Sequence, residues 1–168
     1  ILYYIMVLSD FASNVGNLAA GAVSDTSSLA GGLVSDTADI LRGSTDGVAG
    51  VGNAAISGIK EFILSLDTKS FILDSGCGNG KNMFRDDCTF IGIDSSISMI
   101  NIIQQSGKIG ILADTRNIPF PANHFDACIS VAVIHHISST IERKKAIDEM
   151  IRVVKPGGKI FIQVWENM

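Results

Sequence analysis

Residues 71–80 read FILDSGCGNG, the pattern of a short strand that runs into a glycine-rich loop. Residues 71–74 have the apolar run and the closing acid of a short buried strand. The glycines that follow let the backbone turn tightly and approach a ligand closely, and we predict that a helix opens over residues 79–84. Ligands of open parallel sheets bind at the carboxyl ends of the strands, so the position indicates a nucleotide-type site. The spacing is G-x-G-x-G, not the dinucleotide G-x-G-x-x-G, and a tight structural turn would also explain it.

Outward from this loop, short apolar runs alternate with apolar residues at helical spacing. The predicted strands cover residues 71–74, 89–93, 109–113, 126–133 and 159–165. The predicted helices cover residues 96–106 and 140–154, and an apolar helix face runs from Ile56 to Leu66. Such alternation indicates an α/β fold with a parallel sheet covered on both faces. We therefore predict a Rossmann-like open parallel sheet of five strands.

The chain of 168 residues changes character near residue 55. Residues 11–58 repeat weakly with a period of eleven, most clearly at Val23-Ser-Asp-Thr and Val34-Ser-Asp-Thr, which is a helical period. Nine glycines in that segment disfavour a regular helix. We predict a Gly/Ser/Ala-rich appendage over residues 1–55, helical or disordered, and a ligand-binding domain over residues 56–168.

Composition excludes several classes of protein. A net charge of −4 argues against a strongly basic nucleic-acid binder. The apolar start, Ile1 to Leu8, is far shorter than the ~18 residues of a membrane span and lacks the basic flank of a signal peptide, so no stable membrane association is expected. Cys77, Cys88 and Cys128 show no CxxC pairing. We expect neither a disulfide framework nor a metal site, and a reducing, cytoplasmic location.

Three acids stand at the ends of successive predicted strands: Asp74, Asp94 and Asp114. An acid in the place of Asp94 can accept both hydroxyls of a ribose, and Asp114 could accept from the exocyclic amino group of adenine. Each acid alone could equally be a helix N-cap or turn residue. Together with the glycine loop they favour a nucleotide-type ligand.

These segments resemble the motifs of a known family. DSGCGNG, GIDS, Ala113-Asp114, FDACIS and KPGG resemble the successive motifs of class I S-adenosylmethionine-dependent methyltransferases, over roughly residues 56–168. The longer strings DSGCGNGK, FIGIDSS, FDACISVAVIHHI and RVVKPGGKIFIQVW resemble the eukaryotic tRNA wobble-uridine carboxymethyl methyltransferases, including the methyltransferase domain of the tRNA-modifying AlkB homologue. The resemblance implies methyl transfer from S-adenosylmethionine to the carboxymethyl group of a tRNA wobble uridine.

The resemblance also implies roles for individual positions. The implied cofactor-binding residues are Asp74, Gly76, Cys77, Gly78, Asn79, Gly80, Asp94, Ser95, Asp114, Thr115, Val131 and Ala132. Asp74 would orient the cofactor amino group directly or through water, and Val131 and Ala132 would lie near the sulfonium. The positive charges available for a tRNA substrate are Arg116, Arg143, Lys144 and Lys145, although the triplet 143–145 also suits a solvated helix face. His135 and His136 could position the substrate or simply pack, and no general base is implied because a carboxylate acceptor is ionised at pH 7.

The chain departs from the family in three respects. Residues 11–58 do not match the family's Tyr/Arg-containing helix before the first strand. No antiparallel hairpin follows the fifth strand, so Ile160, Ile162 and Val164 are expected on an uncovered sheet edge. Ser75 stands where an apolar residue is usual. The family enzymes also work with a small zinc-binding activator subunit, which we expect along strand 109–113.

Two rival functions stay open. One is a small-molecule methyltransferase of the ubiquinone-biosynthesis type, which shares the looser motif pattern. The other is a non-catalytic cofactor-binding or interaction module, which the missing hairpin and the substituted N-terminal segment favour. The glycine spacing disfavours a dehydrogenase.

Overall fold

The computed structural model describes residues 2–7, 41–44 and 51–164, with side chains from residue 58 onward. Within these ranges seven strands form one sheet in the order β2-β1-β7-β6-β3-β4-β5. The strands are β1 Leu2–Val7, β2 Leu41–Ser44, β3 Phe71–Ser75, β4 Thr89–Asp94, β5 Gly110–Leu112, β6 Phe125–Val131 and β7 Val154–Val164. The helices are α1 Val51–Ser65, α2 Ile97–Gln105 and α3 Thr140–Val153, with a 3₁₀ turn at Ile134–His136.

The five strands from β3 to β7 are parallel, as predicted. β3 lies in the middle, with β4 and then β5 on one side and β6 and then β7 on the other. The chain therefore leaves β3 in one direction and later returns to its other side. This reversal opens a crevice at the carboxyl ends of β3 and β6, where open α/β sheets bind ligands.

Helices cover both faces of the parallel strands. Residues of α1 and α2 form one buried cluster with Ile72, Ile129 and Phe161, and the rings of Phe62 and Phe161 lie 5.2 Å apart. On the other face, α3 packs its apolar residues against Leu73, Cys128 and Ile160. Residues alternate between the two faces along each strand, and this is why the strands read as continuously apolar in the sequence.

The expectation of an uncovered edge at β7 is wrong. β1 pairs antiparallel with β7, from Leu2 opposite Val164 to Val7 opposite Lys159, and β2 pairs antiparallel with β1. The β1 sequence LYYIMV is rich in aromatic and β-branched residues, and pairing satisfies the backbone groups that the β7 edge would leave open.

The appendage predicted over residues 1–55 is described only in part. Residues 2–7 and 41–44 form strands and not helix or disorder, which corrects the prediction for those segments. Residues 51–58 of the eleven-residue repeat belong to α1, which runs across the predicted boundary at residue 55. The remainder of the repeat, residues 11–40 and 45–50, lies outside the described residues.

The helix predicted over residues 79–84 does not form. The segment consists of turns, in which the Gly80 N–H donates to Cys77 O at 2.9 Å and the Met83 N–H donates to Gly80 O at 3.1 Å. Gly78 and Gly80 have φ values of +51° and +74°, in the left-handed region, so the chain cannot propagate a right-handed helix through them. No helix N-terminus therefore stands directly behind the glycine loop.

Smaller differences concern the bounds of other elements. β7 follows α3 without a break and begins at Val154, five residues before the predicted strand 159–165. β6 ends at Val131 and not at residue 133, because Ala132 has a φ of +60° and leaves the extended conformation.

Candidate functional site

A cleft of about 1260 Å³ opens at the carboxyl ends of the parallel strands. Its wall includes ten of the predicted cofactor-binding residues: Gly76, Cys77, Gly78, Asn79, Asp94, Ser95, Asp114, Thr115, Val131 and Ala132. These residues stand at the ends of four different strands. The fold thus brings together in one place what the sequence spreads over 57 positions, from 76 to 132.

The first turn of the glycine loop is closed by β4. The N–H groups of Gly76 and Cys77 both donate to the Ile93 carbonyl, at 2.8 and 3.0 Å. Gly76 has a φ of +80°, and a Cβ built on it would lie only 2.1 Å from Val133 Cγ2. Glycine is therefore required at position 76, where the loop after β3 packs directly on the loop after β6. A Cβ built on Gly78 meets no other atom within 4 Å.

Asp94 is held in a fixed orientation by backbone donors. Gly78 N–H donates to one carboxylate oxygen and Ser96 N–H to the other, each at 2.9 Å. Each oxygen keeps a lone pair that can accept a further hydrogen bond. The two hydrogen bonds link the glycine loop to the Asp94 carboxylate and orient this hydrogen-bond acceptor before any ligand binds.

Asp74 is fully buried and does not line the cleft. Neither of its carboxylate oxygens has a hydrogen-bond partner among the described residues. Burial raises the pKa of Asp74 to about 7, and the charge of Asp94 adds to the rise, whereas Lys81 and Lys108 act in the opposite direction. Asp74 therefore does not face the cleft directly. Its implied role at the cofactor amino group stays a prediction.

Asp114 lies on the cleft wall but is already paired with Arg116. The guanidinium contacts both carboxylate oxygens, Nε to Oδ1 at 2.9 Å and Nη2 to Oδ2 at 2.5 Å. Arg116 Nη1 also contacts Glu142 Oε2 of α3 at 3.0 Å. The hydrogen bond from Arg116 lowers the pKa of Asp114 and so keeps the carboxylate ionised. Arg116, predicted as a substrate-binding cation, is engaged by two acids of its own chain.

The unusual Ser75 has a structural partner. Its side chain is fully buried, and its Oγ lies 2.6 Å from Thr115 Oγ1. This hydrogen bond joins the end of β3 to the loop after β5, beside Asp114. The serine noted as a departure from the family thus stabilises one wall of the cleft.

The two histidines differ in position. His136 lines the cleft, whereas His135 does not. Nδ1 of His135 is buried without a partner among the described residues, and burial together with the neighbouring His136 lowers the pKa of His135. Only His136 is placed where a ligand could contact it.

The basic triplet of α3 is not on the cleft wall. Arg143 donates to the Ile137 carbonyl at 3.2 Å, and Lys144 pairs with Asp148 at 2.6 Å. The charge of Lys145 contributes to lowering the pKa of Asp114 and of Glu149. The geometry agrees with the alternative interpretation of residues 143–145 as a helix face. Gly80, predicted at the cofactor, also lies off the wall.

Several residues of the cleft wall were missed from the sequence. Among them are Ile59, Lys60, Lys81, Asn82, Phe84, Val133, Glu142 and Gln163. Gln163 carries a visible signal, because it is the one polar residue in the apolar run Ile160–Val164 of β7. Lys60 carries none, since a lysine on an amphipathic helix is normally solvent-facing.

The described ranges hold neither a metal-binding cluster nor a membrane-spanning helix. In residues 2–7, 41–44 and 51–164, no three His, Cys, Asp or Glu side chains are grouped so as to hold a metal ion. None of the helices described here has both the length and the apolarity to cross a bilayer.

A parallel sheet with a glycine loop after β3 and carboxylates after β4 and β5 defines a Rossmann-like domain, a class of fold that places its ligands at this edge of the sheet. Residues 73–162, more than half of the chain, match the family model described as "Methyltransferase domain". The chain belongs to that family, and the resemblance inferred from its motifs is confirmed.

Individual relatives agree with this assignment. Over 108 residues the chain is 47% identical to the tRNA (carboxymethyluridine(34)-5-O)-methyltransferase of Arabidopsis thaliana, a match that covers 64% of this chain and 27% of that protein. The chain thus spans about a quarter of the length of that relative.

Two solved structures share the fold. A SAM dependent methyltransferase from Aquifex aeolicus aligns with a TM-score of 0.54 at 24% identity, over 68% of this chain and 66% of that one. A chain from the complex between the Haloferax volcanii Trm112 methyltransferase activator and a putative methyltransferase aligns with a TM-score of 0.53 at 17% identity, over 68% and 57% of the two chains.

Proposed function

We propose that this chain is the cofactor-binding domain of an S-adenosylmethionine-dependent methyltransferase whose acceptor is the carboxymethyl group of a tRNA wobble uridine. The observation that carries the proposal is the junction of the glycine loop with Asp94, whose two oxygens are fixed by Gly78 and Ser96 N–H groups. The identity of 47% to the Arabidopsis relative supports the choice of acceptor.

The residues present fit the cofactor. Open space at Gly78 and free lone pairs on Asp94 suit a ligand that approaches the backbone and donates two hydroxyls. Asp94 would hold the ribose, Asp114 the adenine amino group, and Val131 and Ala132 the side of the cleft nearest the sulfonium. Asp114 has Arg116 as its present partner, so its remaining lone pairs would serve the adenine. Asp74, buried off the wall, would act through water.

The chemistry asks little of the protein side chains. When bound, S-adenosylmethionine supplies a methyl group that is already activated on a sulfonium. A carboxylate acceptor is ionised at neutral pH, so the chain need not provide a general base. The work of the cleft is to orient the acceptor and to exclude water around it, and His136 is a candidate for orienting it.

We also propose that a small activator subunit pairs with β5. In support, β5 is the last strand of the sheet, and Ile109 and Leu112 are 52% and 54% exposed. The Haloferax chain with the same fold comes from a complex with such an activator. An open edge strand flanked by apolar side chains suits strand addition by a partner.

A cytoplasmic location belongs to the same proposal. Cys77, Cys88 and Cys128 are free thiols, and two of them are buried. Free cysteines are typical of a reducing compartment.

The first experiment is a calorimetric titration of the chain with S-adenosylmethionine. Micromolar binding that is lost in Asp94→Ala and kept in Asp86→Ala, an exposed acid away from the cleft, would support the proposal. A folded wild-type chain that binds no cofactor would leave only the interaction-module alternative. Methylation assays on bulk tRNA and on quinone precursors, with and without the activator subunit, then distinguish the tRNA enzyme from the ubiquinone type.

A further inference from the structure

Gln163 combines a buried side chain with a place on the cleft wall. The residue is 3% exposed, and its Oε1 has no hydrogen-bond partner among the described residues. It nevertheless lines the cleft. Leaving a buried acceptor unsatisfied costs about 1–3 kcal/mol, whereas Leu or Val would fill the same place in β7 at no such cost. A ligand that donates a hydrogen bond explains why an amide stands there.

The register of the sheet places Gln163 beside the carboxyl end of β6. Gln163 of β7 lies beside Val131 of β6, and the Ala132 N–H donates to the Gln163 carbonyl at 2.9 Å. Neighbouring strands are separated by ~4.8 Å, so the amide stands one strand away from the position proposed for methyl transfer. The glycine loop, Asp94 and Asp114 follow strands on the opposite side of β6.

The face of the sheet is settled as well. Phe161, two residues before Gln163, packs on Phe62 of α1 at 5.2 Å. Residues two apart along a strand share a face, so Gln163 is on the face that α1 covers, and Ile59 and Lys60 of α1 line the same cleft. The nucleotide ligand and Gln163 are thus assigned to different parts of one cleft.

A carboxamide offers one acceptor oxygen beside two N–H donors. Its geometric complement is an imide edge, in which an N–H stands next to a carbonyl oxygen. Uracil presents this edge as N3–H beside C4=O, and proteins read unpaired RNA bases along such edges. A neutral amide is a weaker partner for a carboxylate than a cation is, so the base and not its carboxymethyl group is the better match.

We infer that Gln163 is a specificity-determining residue that reads the imide edge of the acceptor uracil, accepting from N3–H at Oε1 and donating from Nε2 to the adjacent carbonyl oxygen. The inference rests on the proposed function and adds to it the recognition of the base. A site built around such a pair should discriminate strongly against a base that lacks the N–H.

The test uses the chain saturated with S-adenosylhomocysteine. An anticodon stem-loop RNA with 5-carboxymethyluridine at the wobble position is titrated calorimetrically, and so is the same RNA with that uridine methylated at N3. The variants are Gln163→Leu, Gln163→Met and the control Ser130→Ala. Ser130 also has an unpaired buried oxygen, but it is paired with Ile162 in the sheet and does not line the cleft.

We expect wild type and Ser130→Ala to bind the unmethylated RNA at least about tenfold more tightly than the N3-methylated RNA, the effect of one lost hydrogen bond. Both Gln163 variants should bind the two RNAs alike, at the weaker level, with affinity for S-adenosylhomocysteine unchanged. Full discrimination in the folded Gln163 variants, or none in wild type, overturns the inference. Either of these results leaves the proposed function standing, whereas failure of wild type to bind S-adenosylhomocysteine or the unmethylated RNA overturns the proposed function and the inference with it.

Discussion

Asp74 is a fully buried carboxyl group whose titration bears on stability. Its pKa in the folded chain is about 7, against an ordinary value of 3.8, chiefly because of burial. The folded state therefore holds a proton over this interval that the unfolded state has released. Since the folded state binds more protons there, the free energy of unfolding must fall as pH rises from about 4 to 7.

Asp74→Asn should remove this part of the pH dependence. Through Asp74, the free energy of unfolding of the wild type should fall by on the order of 4 kcal/mol as the pH rises from about 4 to 7. Urea unfolding at pH 4, 5, 6 and 7 measures it, and the difference between variant and wild type isolates Asp74 from other titrating groups such as His135. The control Asp86→Asn should retain the wild-type slope. Parallel curves for wild type and Asp74→Asn would contradict the prediction.

Gly76 and Gly107 form a matched pair of left-handed glycines, with φ values of +80° and +78°. A Cβ at Gly76 collides with Val133, whereas one at Gly107 meets nothing within 4 Å. Gly107→Ala should cost only the backbone strain of about 1–2 kcal/mol. Gly76→Ala should cost more and also abolish S-adenosylmethionine binding.

Thermal unfolding and calorimetric titration give the two readouts for this pair. Val133→Ala combined with Gly76→Ala should recover part of the lost stability, because it removes the colliding methyl groups. Equal destabilisation by the two single glycine substitutions would show that packing between the two loops is unimportant.

At the scale of elements, β5 is short and lies at the sheet edge. Leu112→Lys should prevent capture of the activator subunit in a pull-down, because it places a charge on the apolar rim of that edge. Leu64→Lys alters a residue of α1 with 55% exposure and should leave capture intact. Retained capture by Leu112→Lys, or equal loss in both variants, would argue against β5 as the docking strand.

The glycine loop shows how far an element can be inferred from local sequence. Its place after a strand and its role in turning the chain follow from the run of glycines, and both are present in the fold. The helix expected behind it is absent because Gly78 and Gly80 adopt positive φ. Permissive glycines are compatible with several turns, and packing selects one of them: Gly80, for example, lies against Ile103 of α2.

At the scale of the whole molecule, β1 joins the first described residues of the chain to β7, which contains the last ones. It lies between β2 and β7, so the backbone N–H of each of its residues, Tyr4 among them, faces a neighbouring strand. Tyr4→Pro removes one of these donors and is incompatible with a central strand. We expect lower stability and faster aggregation on heating, measured by unfolding and light scattering.

Tyr4→Val, which keeps a β-prone residue, is the control and should behave like wild type. If Tyr4→Pro matched it in both measurements, pairing of β1 would contribute nothing to the integrity of the sheet.

Local sequence is enough to predict the strand–helix order, the parallel sheet, the glycine loop and the acids at the strand ends. These features are local: apolar periodicity and short motifs are written in consecutive residues. Three features emerge only in the folded chain: residues 2–7 cover β7, Arg116 is bound to Asp114 and Glu142, and Gln163 faces the cleft. Each of these depends on which distant groups meet once the strands align, and hydrogen-bond pairing and burial set that choice only in the folded chain.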